Sequence, residues 1–133
     1  MNSEKHEIML FDTDILIWVF RGNDKAARLI ENSLDRHISI ITYMELLQGA
    51  RSKKEMSIIR EFLAYFTFTM MPLTENIGHR ASIYIEEFSL KSGMRIADAL
   101  IAATAMENSL HLCTGNAKHY KPISDLKLKI FRL

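Results

Sequence analysis

Cysteine, long apolar runs and net charge are all scarce in this sequence. Cys113 is the only cysteine in 133 residues, so an internal disulfide is excluded and a reducing cytoplasm is the expected setting. Its ordinary role would be a small core residue on a strand. The histidines, His6, His37, His79, His111 and His119, show no paired ligand spacing, which argues against zinc. The apolar run from Ile15 to Phe20 is far too short to span a bilayer, and the opening Met1-Asn2-Ser3-Glu4-Lys5-His6-Glu7 is too polar for a signal peptide. Seventeen Lys and Arg against sixteen Asp and Glu leave a formal charge of +1. A nucleic-acid partner would therefore need a local basic surface, offset by an acidic region elsewhere. No repeat, linker or low-complexity segment divides the chain. Its length, with 48% apolar and 25% charged residues, suits one soluble domain over residues 1–133.

What the chain does have is organised around Ile8-Met9-Leu10-Phe11-Asp12-Thr13-Asp14. A short apolar run entering carboxylates reads as a strand buried on both faces of a parallel sheet. Ligand sites in such sheets lie beyond the carboxyl ends of the strands, where Asp12 would stand. Asp12 or Asp14 would equally serve as a helix N-cap.

Beyond it, Ile15 to Phe20 reads as a short, mostly buried helix stopped at Arg21-Gly22-Asn23. Asp24 is expected to cap a second helix ending near Ser33. Ile38 to Ile41 is the second strand, and Thr42 opens a helix running to Gly49. Arg51 to Lys54 is a basic connection. Ile58, Ile59, Phe62 and Leu63 at helical spacing predict a helix over about 54 to 64. Phe66 to Met70 alternates as a third strand, ended by Pro72. Thr74 caps a long helix that stops before Gly93. An alanine-rich helix follows from Ile96 to Asn108, then a strand from Leu110 to Thr114. Leu126 to Ile130 alternates as an edge strand guarded by lysines. This order predicts an α/β fold with a mostly parallel central sheet flanked by helices.

Against that frame, four polar residues fall at one kind of position. Asp12 follows the first strand, Glu45 lies one turn beyond the second, Asp98 stands in the first turn of the alanine-rich helix, and Asn116 lies just beyond the fourth strand. If the strands are parallel, three carboxylates and an amide share one end of the sheet. Such a cluster repels itself unless a cation neutralises it, and oxygen ligands suit Mg²⁺ or Mn²⁺. Each residue also has a structural reading: Thr42-x-x-Glu45 is a capping box, Asp98 favours a helix dipole, and Gly115-Asn116 is turn chemistry.

The stretches Asp12-Thr13-Asp14, Ile41-Thr42-x-x-Glu45-Leu46-x-x-Gly49, Ile96-Ala97-Asp98-Ala99-x-x-x-Ala103 and Leu112-x-Thr114-x-Asn116 resemble the ordered motifs of PIN domains, above all the VapC-type ribonuclease toxins. The resemblance covers essentially the whole chain. It implies a three-layer PIN-like domain and metal-dependent endonucleolytic cleavage of RNA, with Asp12, Glu45 and Asp98 at the family's acidic positions. Asn116 falls where many members have Asp, so that ligand is neutral here. On this reading Asp12 and Asp98 hold Mg²⁺ or Mn²⁺, and Glu45 holds a second metal or orients the attacking water. Thr114 and Asn116 position the water shell, and Arg95 meets a substrate phosphate, as Arg51, Lys53, Lys54, Lys118 or Lys121 would. Asp14 supports the site without ligating. The resemblance further implies a cognate antitoxin, homodimerisation and a cytoplasmic location, with Trp18, Phe20 and the helices at 54–64 and 74–91 as candidate contacts. Two rivals stand beside it: a PIN fold that only binds a partner, and a haloacid-dehalogenase-type phosphatase, whose motif Leu16 and Gly115-Asn116-Ala117-Lys118 do not fit.

Overall fold

The computed structural model describes residues 8–133. His6 and the rest of the polar opening, residues 1–7, lie outside them. Five strands form one parallel sheet in the order β3-β2-β1-β4-β5. They are β1 (Met9–Phe11), β2 (Arg36–Ser39), β3 (Thr69–Met71), β4 (His111–Thr114) and β5 (Leu128–Ile130). Six α-helices lie between β1 and β4, α1 (Thr13–Phe20), α2 (Asp24–Asn32), α3 (Ile40–Gly49), α4 (Lys53–Tyr65), α5 (Glu75–Ser92) and α6 (Ile96–Glu107), and one short 3₁₀ turn (Ala117–His119) follows β4.

The sheet is central because side chains alternate across its strands. Leu10 and Leu112 are register partners and face one apolar cluster with α5 and α6. Phe11 and Cys113 are the next pair and face the other cluster, with α1, α2 and α4. All four are fully buried, as a parallel sheet covered on both faces requires. Each large apolar side chain so buried stabilises the fold by roughly 1.5–3 kcal/mol. The alanines Ala99, Ala102, Ala103 and Ala105 are buried too, and their small size lets α6 approach α5 and the sheet closely. Among the described residues no helix is long and apolar enough to cross a membrane.

Several boundaries differ from expectation for local reasons. The second strand stops at Ser39 because its hydroxyl accepts from the Ile41 amide at 3.0 Å and caps α3. Ile40 and Ile41 are therefore helical, and Thr42 stands inside the first turn instead of at its cap. Asn23, not Asp24, caps α2, its side chain accepting from the Ala26 amide at 2.8 Å. The third strand begins at Thr69, because Phe66 to Phe68 form the exit from α4, with Thr67 in the left-handed region at φ 55°. Their aromatic spacing serves packing: Phe66 and Phe68 both stack on Phe62. β5 is shorter than the alternation suggests, since Leu126 is held in a turn by its amide bond to Ile123 O. Thr74 caps α5 and Gly93, at φ 68°, ends it, both as expected.

Candidate active site

Chain order determines where a site forms. From β1 the strands run outward through β2 to β3, and the chain then returns to place β4 on the other flank of β1. The crevice between β1 and β4, beyond their carboxyl ends, is the topological switch point. Asp12 and Thr114 leave the two strands there.

Asp12 is 5% exposed. Its Oδ1 accepts from the Thr13 amide at 2.8 Å, and its Oδ2 accepts from the Thr114 hydroxyl at 2.8 Å. The helix-capping and site readings of Asp12 are thus compatible, one oxygen serving each. Burial, reinforced by the nearby Asp14 carboxylate, pushes its pKa up to about 7 against the donors Thr114, Thr13 and Tyr120. Asp14 is also raised by burial, although the Gly115 amide donates to its Oδ2 at 2.9 Å and opposes the shift. Its Oδ1 is buried without a hydrogen-bond partner.

Glu45 is exposed on α3 and does not close the expected capping box with Thr42. Its Oε1 accepts instead from the Thr13 hydroxyl at 2.7 Å, and the Thr42 hydroxyl lies 2.9 Å from the same Thr13 oxygen. Thr13 has one proton to give Glu45, so the hydrogen between the two threonines comes from Thr42. This chain ties β1's exit to α3.

Asp98, in the first turn of α6, is largely covered and loosely bonded. Its Oδ2 lies 3.4 Å from the Arg95 amide and 3.9 Å from His119 Nδ1, and its Oδ1 lies 3.5 Å from the Tyr120 hydroxyl. Asn116 is exposed; its backbone amide donates to the Thr114 hydroxyl at 2.9 Å and its carbonyl accepts from the His119 amide at 3.0 Å. Thr114 is fully buried, so its hydroxyl is committed to Asp12 and the Asn116 amide. Arg95 is exposed and shares an open cavity of about 590 Å³ with Glu45 and Asp98.

No local pattern in the sequence marks Tyr120. It is 1% exposed, and its hydroxyl stands between Asp12 and Asp98. Burial, then the two carboxylates, push its pKa upward, so it remains a proton donor. Its position four residues after Asn116, in a segment without strand or helix periodicity, carried no signal of this contact.

The donor set is carboxylate and hydroxyl oxygen. Among the described residues no three acidic, histidine or cysteine side chains form a closed cage. Mg²⁺ is commonly held by one or two carboxylates and keeps several waters, so an open pair such as Asp12 and Asp98 fits it. Asp12 is buried beside the Asp14 carboxylate, and the negative charge it would carry there is the kind that such an ion would neutralise.

The PIN domain family model matches residues 9–122, a span that includes all of these residues. The chain belongs to the PIN-domain family. Among curated relatives of this PIN domain, Ribonuclease VapC1 of Methanocaldococcus jannaschii is 33% identical over 131 residues, covering 96% of this chain and 90% of its own. Ribonuclease VapC10 of Mycobacterium tuberculosis is 36% identical over 126 residues, covering 90% and 91%. Of solved structures, a toxin–antitoxin complex from Klebsiella pneumoniae superposes with a TM-score of 0.75 at 32% identity, covering 89% of this chain and 94% of that one. Membership in the PIN family removes the phosphatase alternative.

Proposed function

We propose that this chain is a divalent-metal-dependent endoribonuclease and the toxin of a toxin–antitoxin pair. The observation that carries the reading is the convergence of Asp12 and Asp98 on the Tyr120 hydroxyl at the switch point of the sheet. The names of the relatives and of the Klebsiella complex support both halves of it.

In this reading Asp12 and Asp98 hold Mg²⁺ or Mn²⁺. When bound, the cation supplies positive charge to the scissile phosphate and makes a water more acidic. Thr114 and Tyr120 keep the two carboxylates aimed, and the Asn116 amide fixes the Thr114 rotamer. Glu45 is held through one oxygen by Thr13, and its other oxygen, without a hydrogen-bond partner among the described residues, orients a water toward phosphorus. Attack forms a new P–O bond, a P–O bond of the RNA backbone breaks, and the leaving oxygen takes up a proton. Arg95, exposed beside Asp98, meets a phosphate of the substrate.

An apolar groove of about 620 Å³, lined by Ile17, Phe20, Leu46 and Ile58 with Glu45 among its walls, suits an apolar segment of an antitoxin. Ile83 and Leu90, seven residues apart on one face of α5 and both exposed, suit contact with a second copy. A cytoplasmic setting accords with an RNA substrate.

Cleavage of total cellular RNA by the purified, antitoxin-free protein tests the proposal, with Mg²⁺ or Mn²⁺, with chelator, and with Asp98→Asn alongside. Discrete metal-dependent fragments that vanish in the variant are expected. Cleavage equal in the variant or insensitive to chelator, or no cleavage by folded protein, overturns it in favour of a PIN fold that only binds.

A further inference from the structure

A third opening lies beside Asp14 and Asn116. It is a trough of about 560 Å³ bounded by the last turns of α1, the segment after β4 and the C-terminal residues. Asp14 and Asn116 lie in its wall, so it communicates with the site. Its other polar side chains are cationic: Lys118, Lys121 and Arg132, all exposed. Among the described residues, Asp14 is the only acidic side chain in the lining, and one of its oxygens accepts from the Gly115 amide. Arg51 and Arg80 are paired with Glu55 and Glu107, whereas none of these three cations makes an ion pair among the described residues. In a chain of net charge +1, this is the local basic surface that a polyanion requires.

The trough also contains an aromatic surface. Trp18, half-buried, lines it, and the Arg21 guanidinium lies 5.9 Å from the ring centroid. The C-terminal part of the lining is fixed: the Phe131 amide donates to Thr114 O at 2.8 Å, and Lys25 lies 5.6 Å from the Phe131 ring centroid while bonding the Arg132 carbonyl. A positive channel with an aromatic platform is how single strands are gripped without sequence readout.

We infer that a single strand of RNA leaves the acidic site along this trough, with Lys118, Lys121 and Arg132 holding its phosphates and Trp18 stacking on a base. The inference rests on the ribonuclease reading and selects two of the six basic residues named from sequence.

Trp18 is the only tryptophan, so its emission reports occupancy directly. The full chain carrying Asp98→Asn, to prevent cutting, is titrated with a short oligouridylate at several salt concentrations. Adding Lys118→Glu and Lys121→Glu is compared with adding Lys53→Glu and Lys54→Glu on the start of α4. The RNA is expected to quench Trp18. Reversal in the trough is expected to weaken binding more than about tenfold and to reduce the salt slope by about 1.4, at about 0.7 per phosphate contact. The α4 reversal is expected to change little.

Binding that leaves Trp18 emission unchanged, equal effects of the two reversals, or no binding would overturn the path. Cleavage by the unsubstituted chain is measured separately. Cutting that trough reversal does not affect refutes the path and leaves the ribonuclease standing, while trough binding without cutting does the opposite.

Discussion

The Thr114 hydroxyl donates to Asp12 Oδ2 at 2.8 Å across 102 positions of sequence, and accepts from the Asn116 amide at 2.9 Å. One buried hydroxyl thereby fixes both the carboxylate and the loop beyond β4. Thr114→Val keeps the shape and removes the hydroxyl. The Asn116 amide loses its acceptor and Asp12 loses a donor, at a cost of about 1–3 kcal/mol in stability. Cleavage should fall about 10- to 100-fold, as when support behind a metal ligand is lost. Thr114→Ser should retain most of both. Urea denaturation and single-turnover cleavage check the pair, and wild-type cleavage by the valine variant would show the hydroxyl to be idle.

Asp12 sets a pH dependence whose sign follows from its raised pKa. The unfolded chain loses the proton near 3.8 and the folded chain near 7. Between those values the folded state holds a proton that the unfolded state has released, so its contribution to stability is fully present below about 4 and is lost as pH rises to about 7. The shift corresponds to at most about 4 kcal/mol. Metal-free protein should therefore show this loss in its melting temperature from pH 4 to 7, and Asp12→Asn should flatten that part of the profile. At pH 8, Mg²⁺ or Mn²⁺ should raise the wild-type melting temperature more than that of the variant. An equal slope in both proteins would refute the assignment.

A Cβ on Gly115 would lie 2.8 Å from Asp14 Oδ2, whose bond to the Gly115 amide holds it there. The glycine is needed for this approach, since its φ is not positive. Gly115→Ala should cost about 1–3 kcal/mol by forcing Asp14 aside. In an Asp14→Ala background the clash is gone, and alanine should be neutral or stabilising by about 0.4–1 kcal/mol, through reduced freedom of the unfolded chain. A double-mutant cycle by denaturation measures this coupling. Additive effects would refute the contact.

The boundaries that were legible in the sequence are those written by neighbouring residues. Thr74 accepts from the Ile77 amide and Gly93 takes the left-handed turn, so α5 was bounded by its own ends. Of the apolar run Ile38 to Ile41, Ile38 and Ser39 are strand, while Ile40 and Ile41 are helical, because a short β-branched run suits either structure and the Ser39 hydroxyl starts the helix. The pairing of Glu45 with Thr13 instead of a local cap was equally illegible, because the competing donor lies 32 positions away.

By itself the sequence determined the alternation of buried strands with helices, and the carboxylates at the ends of those elements. Those features follow from apolar periodicity and from chemistry within a few residues. Only the tertiary structure decided that β4 returns beside β1, that Tyr120 stands between Asp12 and Asp98, and that Lys118, Lys121 and Arg132 line one trough with Trp18. These are contacts between distant segments, created when both faces of one sheet are buried at once, and no local pattern encodes them.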